Sequence, residues 1–145
     1  MRALPSDPGP LIVACDGAAR GNPGPAGIGV QITSEHGRIL AEIAEGIGEA
    51  TNNVAEYTAM IEGLRRAQEL GARRVTVRSD SQLLVNQLTG RYRVKTPHLQ
   101  PLHRRARSLA AGFDHVSFEH VPRELNTEAD RLANEGVDAW LAGER

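Results

Sequence analysis

Apolar residues follow two rhythms along the chain, and each rhythm predicts one kind of element. Apolar runs and apolar residues at every second position predict strands, whereas spacings of three and four predict helices. The predicted strands span residues 11–16, 26–33, 38–47, 74–79 and 115–121. The predicted helices span 53–70, 81–88 and 97–111, and a closing helix is marked by Leu125, Ala129, Leu132, Val137 and Trp140.

The order of these elements is βββαβααβα. The first three strands can pair antiparallel through short connections, whereas the later strands are separated by helices and require parallel crossovers. We therefore predict an α/β fold with a five-stranded mixed sheet flanked by helices. A single domain over 11–141, with a loose lead-in over 1–10 and a tail over 142–145, accounts for the 145 residues.

The composition is that of a globular protein, with 40% hydrophobic and 24% charged residues. No apolar stretch approaches the ~20 residues of a membrane span, and the first ten residues lack the apolar region of a signal peptide. Cys15 is the only cysteine, which excludes an intrachain disulfide and a cysteine-based metal site. We expect a cytoplasmic monomer without a membrane partner.

Four acidic residues stand at boundaries of the predicted elements. Asp16 closes the first strand and Asp80 closes the fourth. Glu56 lies near the start of a helix, and Asp130 lies on the last helix. Such positions can converge at one edge of an α/β sheet, and carboxylate oxygens are the ligands that Mg²⁺ prefers. The chain has no Gly-x-x-x-x-Gly-Lys-Ser/Thr loop, which argues against a nucleoside triphosphatase.

Each acid also has a simpler structural interpretation. Asp16 could begin a hairpin turn, although the next strand starts too far along the chain for a two-residue turn. Glu56 could close a capping box with Asn53, and Asp80 could cap the following helix. Asp130 could be a solvated helix residue. If the acids share no site, all four of these structural interpretations must be true at once, which is much less probable than any one of them. A shared metal site is therefore the favoured hypothesis.

The charge is unevenly distributed, although the net charge is only −1. No Asp or Glu occurs between Ser81 and Phe113. We call the cations of this stretch the basic segment; they are Arg91, Arg93, Lys95, Arg104, Arg105 and Arg107. A solvated helix face is one interpretation of the basic segment. Combined with a carboxylate cluster, a footprint for a phosphate backbone is the better one.

Four motifs resemble the signature segments of type 1 ribonucleases H, and the resemblance extends from Leu11 to Leu141. The motifs are Asp16-Gly-Ala-Ala-Arg-Gly-Asn-Pro-Gly-Pro-Ala-Gly27, Thr51-Asn-Asn-Val-Ala-Glu56, Ser79-Asp-Ser-Gln82 and Asn126-Thr-Glu-Ala-Asp130. The resemblance implies a ribonuclease H-like fold and an enzyme that hydrolyses the RNA strand of RNA–DNA hybrids. It also implies two Mg²⁺ ions, with Mn²⁺ as a substitute, and products with 5′-phosphate and 3′-hydroxyl ends. The metal-binding catalytic acids would be Asp16, Glu56, Asp80 and Asp130.

The same resemblance implies a set of contacts to the hybrid. Asn22, Asn53 and Gln82 match positions that touch the duplex, including ribose hydroxyls, and amide groups suit the 2′-OH because it donates and accepts hydrogen bonds. Thr51 and Asn52 match positions that hold the DNA backbone. Further candidates for substrate binding are Ser81, Arg123 and Asn126.

Two departures from the family pattern affect the site. Many members have a mobile-loop histidine before the last acid, whereas here that loop is short and His120 is expected on the preceding strand. Arg123 or Glu124 could occupy the corresponding space. The basic protrusion of some members is also abbreviated. Trp140 is expected to anchor the last helix in the core.

Two other functions stay open from the sequence. A nuclease of related fold, acting on DNA or double-stranded RNA, would share clustered acids, but the Thr-Asn-Asn and Asp-Ser-Gln segments argue against it. A non-catalytic module that binds hybrids would be expected to lack some of the acids. Double-stranded RNA is neither required nor forbidden as a second substrate.

Overall fold

The computed structural model describes residues 6–143 of the chain. Its five strands are β1 Leu11–Ala19, β2 Gly24–Ser34, β3 Ile39–Ala50, β4 Arg74–Ser79 and β5 His115–His120. Its α-helices are α1 Asn52–Glu69, α2 Gln82–Leu88, α3 Gln100–Ala110 and α4 Thr127–Gly143. Short 3₁₀ turns at Pro97–Leu99 and Arg123–Leu125 precede α3 and α4. The order of strands and α-helices confirms the prediction.

The strands form one mixed sheet in the order β3-β2-β1-β4-β5. β1, β2 and β3 pair antiparallel, whereas β4 pairs parallel with both β1 and β5. The predicted fold class is therefore confirmed. Because β1 and β4 run in the same direction, Asp16 and the residue after Ser79 reach the same edge of the sheet.

Helices cover both faces of the sheet. On one face α1 packs on β1 and β2 and also contacts α3, and the main core lies here, around the buried residues Tyr57, Met60 and Leu64. The predicted inward positions Val75 and Val77 are buried on this side. On the other face α4 packs on β1, β2 and β3. This arrangement puts α1 and α4 on opposite sides of Asp16.

The predicted helix over 97–111 is divided in the structure. A 3₁₀ turn comes first, with the Gln100 amide bonded to the Pro97 carbonyl, and α3 starts at Gln100. The reason is Pro101, which has no N–H to bond to the Pro97 carbonyl in an α-helical turn.

The closing helix also differs from its prediction. Leu125 is 73% exposed and lies in the 3₁₀ turn before α4, so its assignment to the apolar face of the helix is wrong. Trp140 is half-buried, and its Cβ faces Gly46 of β3. The helix continues to Gly143, past the predicted domain end at 141.

The predicted terminal segments are only partly described, because residues 1–5 of the lead-in and residues 144–145 of the tail lie outside the described part of the chain. Over residues 6–143, none of the helices has both the length and the apolarity that crossing a bilayer requires.

Candidate active site

Three carboxylates meet near the carboxyl ends of the neighbouring strands β1 and β4. Asp16 comes from β1, Glu56 from α1, and Asp80 directly follows β4. One carboxylate oxygen from each lies within 4.8 Å of the other two. Asp16 is buried, with 8% of its surface exposed, and the other two are half-buried. A donor set made only of oxygen atoms fits a divalent cation such as Mg²⁺.

Asp130 reaches the same place from α4. It lines a cavity of about 400 Å³ together with Asp16, Glu56 and Asp80. This space is called the carboxylate cavity below. The structure thus brings together the four acids that the sequence singled out.

Two glycines allow the helices to come this close. Gly17 follows Asp16, and a Cβ on Gly17 would overlap the backbone of Ala55 and Glu56 in α1. Gly29 pairs with Asp16 across β1 and β2, and a Cβ there would overlap the backbone of α4 at Ala129. Side chains at either position would push α1 or α4 away from Asp16. The close spacing of the acids therefore depends on two glycines that have no functional group of their own.

The helix caps exclude two of the simpler interpretations. The Thr51 hydroxyl accepts a hydrogen bond from the Val54 amide, so Thr51 is the N-cap of α1 and Glu56 lies beyond the capping-box position. Ser81, not Asp80, caps α2 through its own hydroxyl. The hairpin interpretation of Asp16 also fails, since β1 continues to Ala19.

Burial and neighbouring carboxylates raise the pKa values of two acids of this cluster, Asp16 and Glu56. Burial, then the neighbouring Asp80, Asp130 and Glu56, raise the pKa of Asp16 to about 8. Burial and Asp80 raise the pKa of Glu56 to about 7, although a hydrogen bond with Ser81 opposes the shift. The cavity is short of positive charge, and a bound cation would relieve that shortage.

Two arginines border the carboxylate cavity, Arg20 and Arg123. Arg20 is ion-paired with Asp138 at 2.8 Å. Arg123 makes no ion pair within residues 6–143 and is exposed. Of the two candidates for the place of the loop side chain, Arg123 lines the cavity and Glu124 does not. His120 lies at the exposed end of β5, as predicted, and does not line the cavity.

Amide side chains organise one rim of the cavity. Asn22 Oδ1 accepts a hydrogen bond from the backbone N–H of Asn52 at 3.0 Å. Asn52 Oδ1 in turn accepts from the Ala19 amide at 3.1 Å, and Asn52 lines the cavity. These bonds hold the loop after β1 against the start of α1. Asn53 is half-buried in the first turn of α1, and Gln82 is exposed at the start of α2.

Asn126 is placed differently from its prediction. It is only 2% exposed, and its Nδ2 donates to the Cys15 carbonyl at 3.1 Å. The structure therefore puts Asn126 beneath the cavity, where it ties the start of α4 to the strand that carries Asp16. That location corrects the expectation of a side chain on the substrate-facing surface.

The basic segment lies apart from the four acids. All six of its cations are exposed, and none of them lines the carboxylate cavity. Arg93, Arg104 and Arg107 instead border a separate groove of about 340 Å³ with His103 and Tyr92.

Three residues near the acids were missed by the sequence analysis: Arg20, Asn134 and Asp138. Arg20 and Asn134 line the cavity, and Asp138 holds Arg20. Asn134 and Asp138 follow Asp130 at intervals of four, which would have placed them on its helix face. No local pattern could have identified Arg20, because its partners are more than 100 positions away, 114 for Asn134.

The fold and the carboxylate cavity together define an α/β domain with an acidic site that could hold a metal ion. A family model described as "Reverse transcriptase-like" matches residues 14–136. The chain is 49% identical over 130 residues to the "Bifunctional protein Rv2228c" of Mycobacterium tuberculosis, covering 89% of this chain and 36% of that protein. It is 50% identical over 123 residues to the "Ribonuclease HI" of Halobacterium salinarum, covering 85% and 62%.

A solved structure is similar as well. The crystal structure of LC11-RNase H1 in complex with RNA/DNA hybrid has a TM-score of 0.86 and 46% sequence identity, and covers 90% of this chain and 99% of that one. The chain belongs to the ribonuclease H family. It spans less than two thirds of the length of the two curated relatives named above.

Proposed function

We propose that the protein is an endoribonuclease that hydrolyses the RNA strand of RNA–DNA hybrids and leaves 5′-phosphate and 3′-hydroxyl ends. The observation that carries the proposal is the convergence of the Asp16, Glu56 and Asp80 oxygens within 4.8 Å of one another. The LC11 relative, solved with a hybrid, supports the choice of substrate.

The metal would be held by Asp16, Glu56, Asp80 and Asp130. Their oxygen atoms suit two Mg²⁺ ions, with Mn²⁺ as a substitute, and the raised pKa values of Asp16 and Glu56 mark a site that lacks positive charge. When bound, such ions supply activation of the attacking water and stabilisation of the leaving oxygen.

The chain holds these carboxylates in place before any ligand arrives. Asp16 is fixed by strand pairing with Gly29 and by the Asn126 bond to the preceding carbonyl. Glu56 is held beside Asp16 by the close approach of the Ala55–Glu56 backbone to Gly17. Ligands that are already ordered lose little freedom when substrate and metal bind, which favours reaction at this point.

Amide and hydroxyl groups around the cavity would orient the hybrid. Asn22, Asn53 and Gln82 would contact the strands and their ribose hydroxyls, while Asn52 would contact the backbone beside the cavity. The Thr51 oxygen already accepts the Val54 amide, but its hydroxyl hydrogen stays free to donate to a phosphate oxygen.

Charged groups would hold the duplex on both sides of this rim. Arg123 would approach a phosphate near the reacting one, because it borders the cavity without an ion-pair partner within the described residues. The basic segment would neutralise phosphates farther along the duplex.

The test is cleavage of three duplexes of matched sequence: hybrid, double-stranded RNA and double-stranded DNA. Each is incubated with Mg²⁺, Mn²⁺ or EDTA. We expect cleavage of the hybrid's RNA strand with either metal and none in EDTA. Hybrid binding without cleavage would indicate a binding module, and cleavage of DNA would indicate a different nuclease. The double-stranded RNA lane decides whether that duplex is a second substrate.

A further inference from the structure

Three polar residues recur at every fourth position of α4. Asp130, Asn134 and Asp138 therefore share one face of the helix. Asp130 and Asn134 line the carboxylate cavity, and Asp138 lies one turn farther from it. Asn134 and Asp138 contact Arg20, which directly follows β1.

The Arg20 guanidinium bonds two turns of α4 at once. Its Nη1 lies 2.8 Å from Asp138 Oδ1. Its Nη2 donates to the side-chain oxygen Oδ1 of Asn134 at 3.3 Å, and the backbone carbonyl oxygen of Asn134 lies 3.5 Å from the same nitrogen. A planar group with several fixed donors can make these bonds together. The loop after Asp16 is thereby attached to the helix that carries Asp130.

These bonds also set the orientation of the Asn134 amide. Its Nδ2 donates to the Asp130 carbonyl at 3.0 Å and lies 3.5 Å from Asp130 Oδ1. A side-chain amide accepts at one end and donates at the other. If the amide turned over, its oxygen would face the Asp130 carboxylate and its NH₂ would face the Arg20 guanidinium. Arg20 therefore keeps the donating end toward Asp130.

We propose that Arg20 and Asn134 are positioning residues, with Arg20 orienting Asn134 and Asn134 orienting the Asp130 carboxylate. The inference rests on the proposed hydrolysis, in which Asp130 is a catalytic acid. A direct grip of Arg20 on substrate phosphate is the competing role. The structure favours positioning, because Asp138 is ion-paired with the guanidinium and both of its terminal nitrogens already have partners on α4.

The kinetic test is a double-mutant cycle with Arg20→Ala, Asn134→Ala and the double variant. Each single change should lower kcat roughly tenfold with little change in KM, since a small misplacement of a catalytic group is costly. The kcat of the double variant should be no lower than that of the poorer single variant, because Arg20 acts on Asp130 only through Asn134. Arg65→Ala is the matched control: Arg65 is a partly exposed arginine paired with Glu62, outside the cavity, and its loss should leave kcat unchanged.

Arg20→Lys separates positioning from charge. Lysine keeps the charge but has one nitrogen, so it cannot reproduce the paired bonds to Asp138 and Asn134. We expect it to restore only part of kcat. Full recovery by lysine, additive losses in the double variant, or a raised KM with a shallower salt dependence would overturn positioning and assign Arg20 to phosphate binding.

A readout without turnover keeps this inference separate from the proposed function. In the metal-free protein, the NMR signals of the Asn134 side-chain NH₂ should shift and broaden in Arg20→Ala but not in Arg65→Ala. Unchanged signals in Arg20→Ala would overturn the inference even if the enzyme is active. If the signals change but the wild-type protein cleaves no hybrid, the orienting contact stands and the proposed hydrolysis fails.

Discussion

The carboxylate cavity and the basic segment are both charged, but the chain builds them in different ways. The four acids come from β1, α1, the end of β4 and α4, and backbone contacts at Gly17 and Gly29 fix their separation. The six cations instead project from one continuous stretch of sequence, and all are exposed. The cavity is consequently sensitive to single atoms, whereas the basic segment acts through summed charge. Catalysis requires accurately placed groups such as those of the cavity, whereas binding a long polyanion requires only positive charge such as that of the basic segment.

The largest expected effect is the loss of one carboxylate from the cavity. Asp16→Asn and Asp80→Asn should each lower kcat on a hybrid by roughly a hundredfold or more, the scale of removing an electrostatic group aimed at the reacting atoms. The measurement is steady-state cleavage at saturating Mg²⁺. Because an asparagine also relieves repulsion, neither variant should melt at a lower temperature than the wild type in EDTA. Near-normal turnover in either variant would contradict the assignment of the acids.

The four acids of the carboxylate cavity could be predicted from the sequence, but most of the contacts that hold them in place could not. Asp16 and Asp80 could be predicted to meet because the order of the elements puts the carboxyl-terminal parts of their two strands at the same edge of one sheet, although β1 continues past Asp16 to Ala19. Arg20 could not be linked to Asp138, since only the folded chain brings them together.

Local sequence patterns also gave the wrong role for two residues whose environment depends on the surrounding fold. Leu125 has the spacing of an apolar helix residue, but the 3₁₀ turn at Arg123–Leu125 exposes it. Similarly, Gly17 could be taken as a simple turn residue, whereas its role is the close approach of α1.

A second prediction uses the raised pKa values of Asp16 and Glu56. In the folded, metal-free protein these are about 8 and about 7, whereas unfolded Asp and Glu titrate near 4. Between those limits these two groups bind more protons in the folded state than in the unfolded state, so the stability they contribute is fully present below about pH 4 and is lost as pH rises toward 8. The melting temperature in EDTA should therefore fall over this range.

Asp16→Asn provides the control for this pH dependence, because it removes the carboxyl group whose pKa is raised the most. The fall in melting temperature should become shallower in this variant. If both proteins show the same slope, the four carboxylates do not share a crowded site in solution.

The basic segment should respond differently from the cavity. Neutralising a pair such as Arg104 and Arg107 with glutamine should raise KM several-fold for every hybrid sequence while kcat changes little. The slope of log affinity against log salt should become shallower by roughly 0.9 for each lost duplex contact. Binding titrations at several salt concentrations measure this slope. An unchanged slope would make the basic segment a solvated surface, and a large fall in kcat would mean that it reaches the reacting atoms.

The smallest expected effect is at His120, which tests where the cavity ends. His120 is exposed at the end of β5 and does not line the carboxylate cavity, whereas Arg123, three positions later, does. His120→Ala should therefore change kcat by less than about threefold, since a positioned general acid or base contributes about 10²–10⁴-fold. The pH profile of kcat should also be unaltered. A hundredfold loss of kcat at unchanged melting temperature would show that the end of β5 moves over the substrate and brings its imidazole to the reacting phosphate.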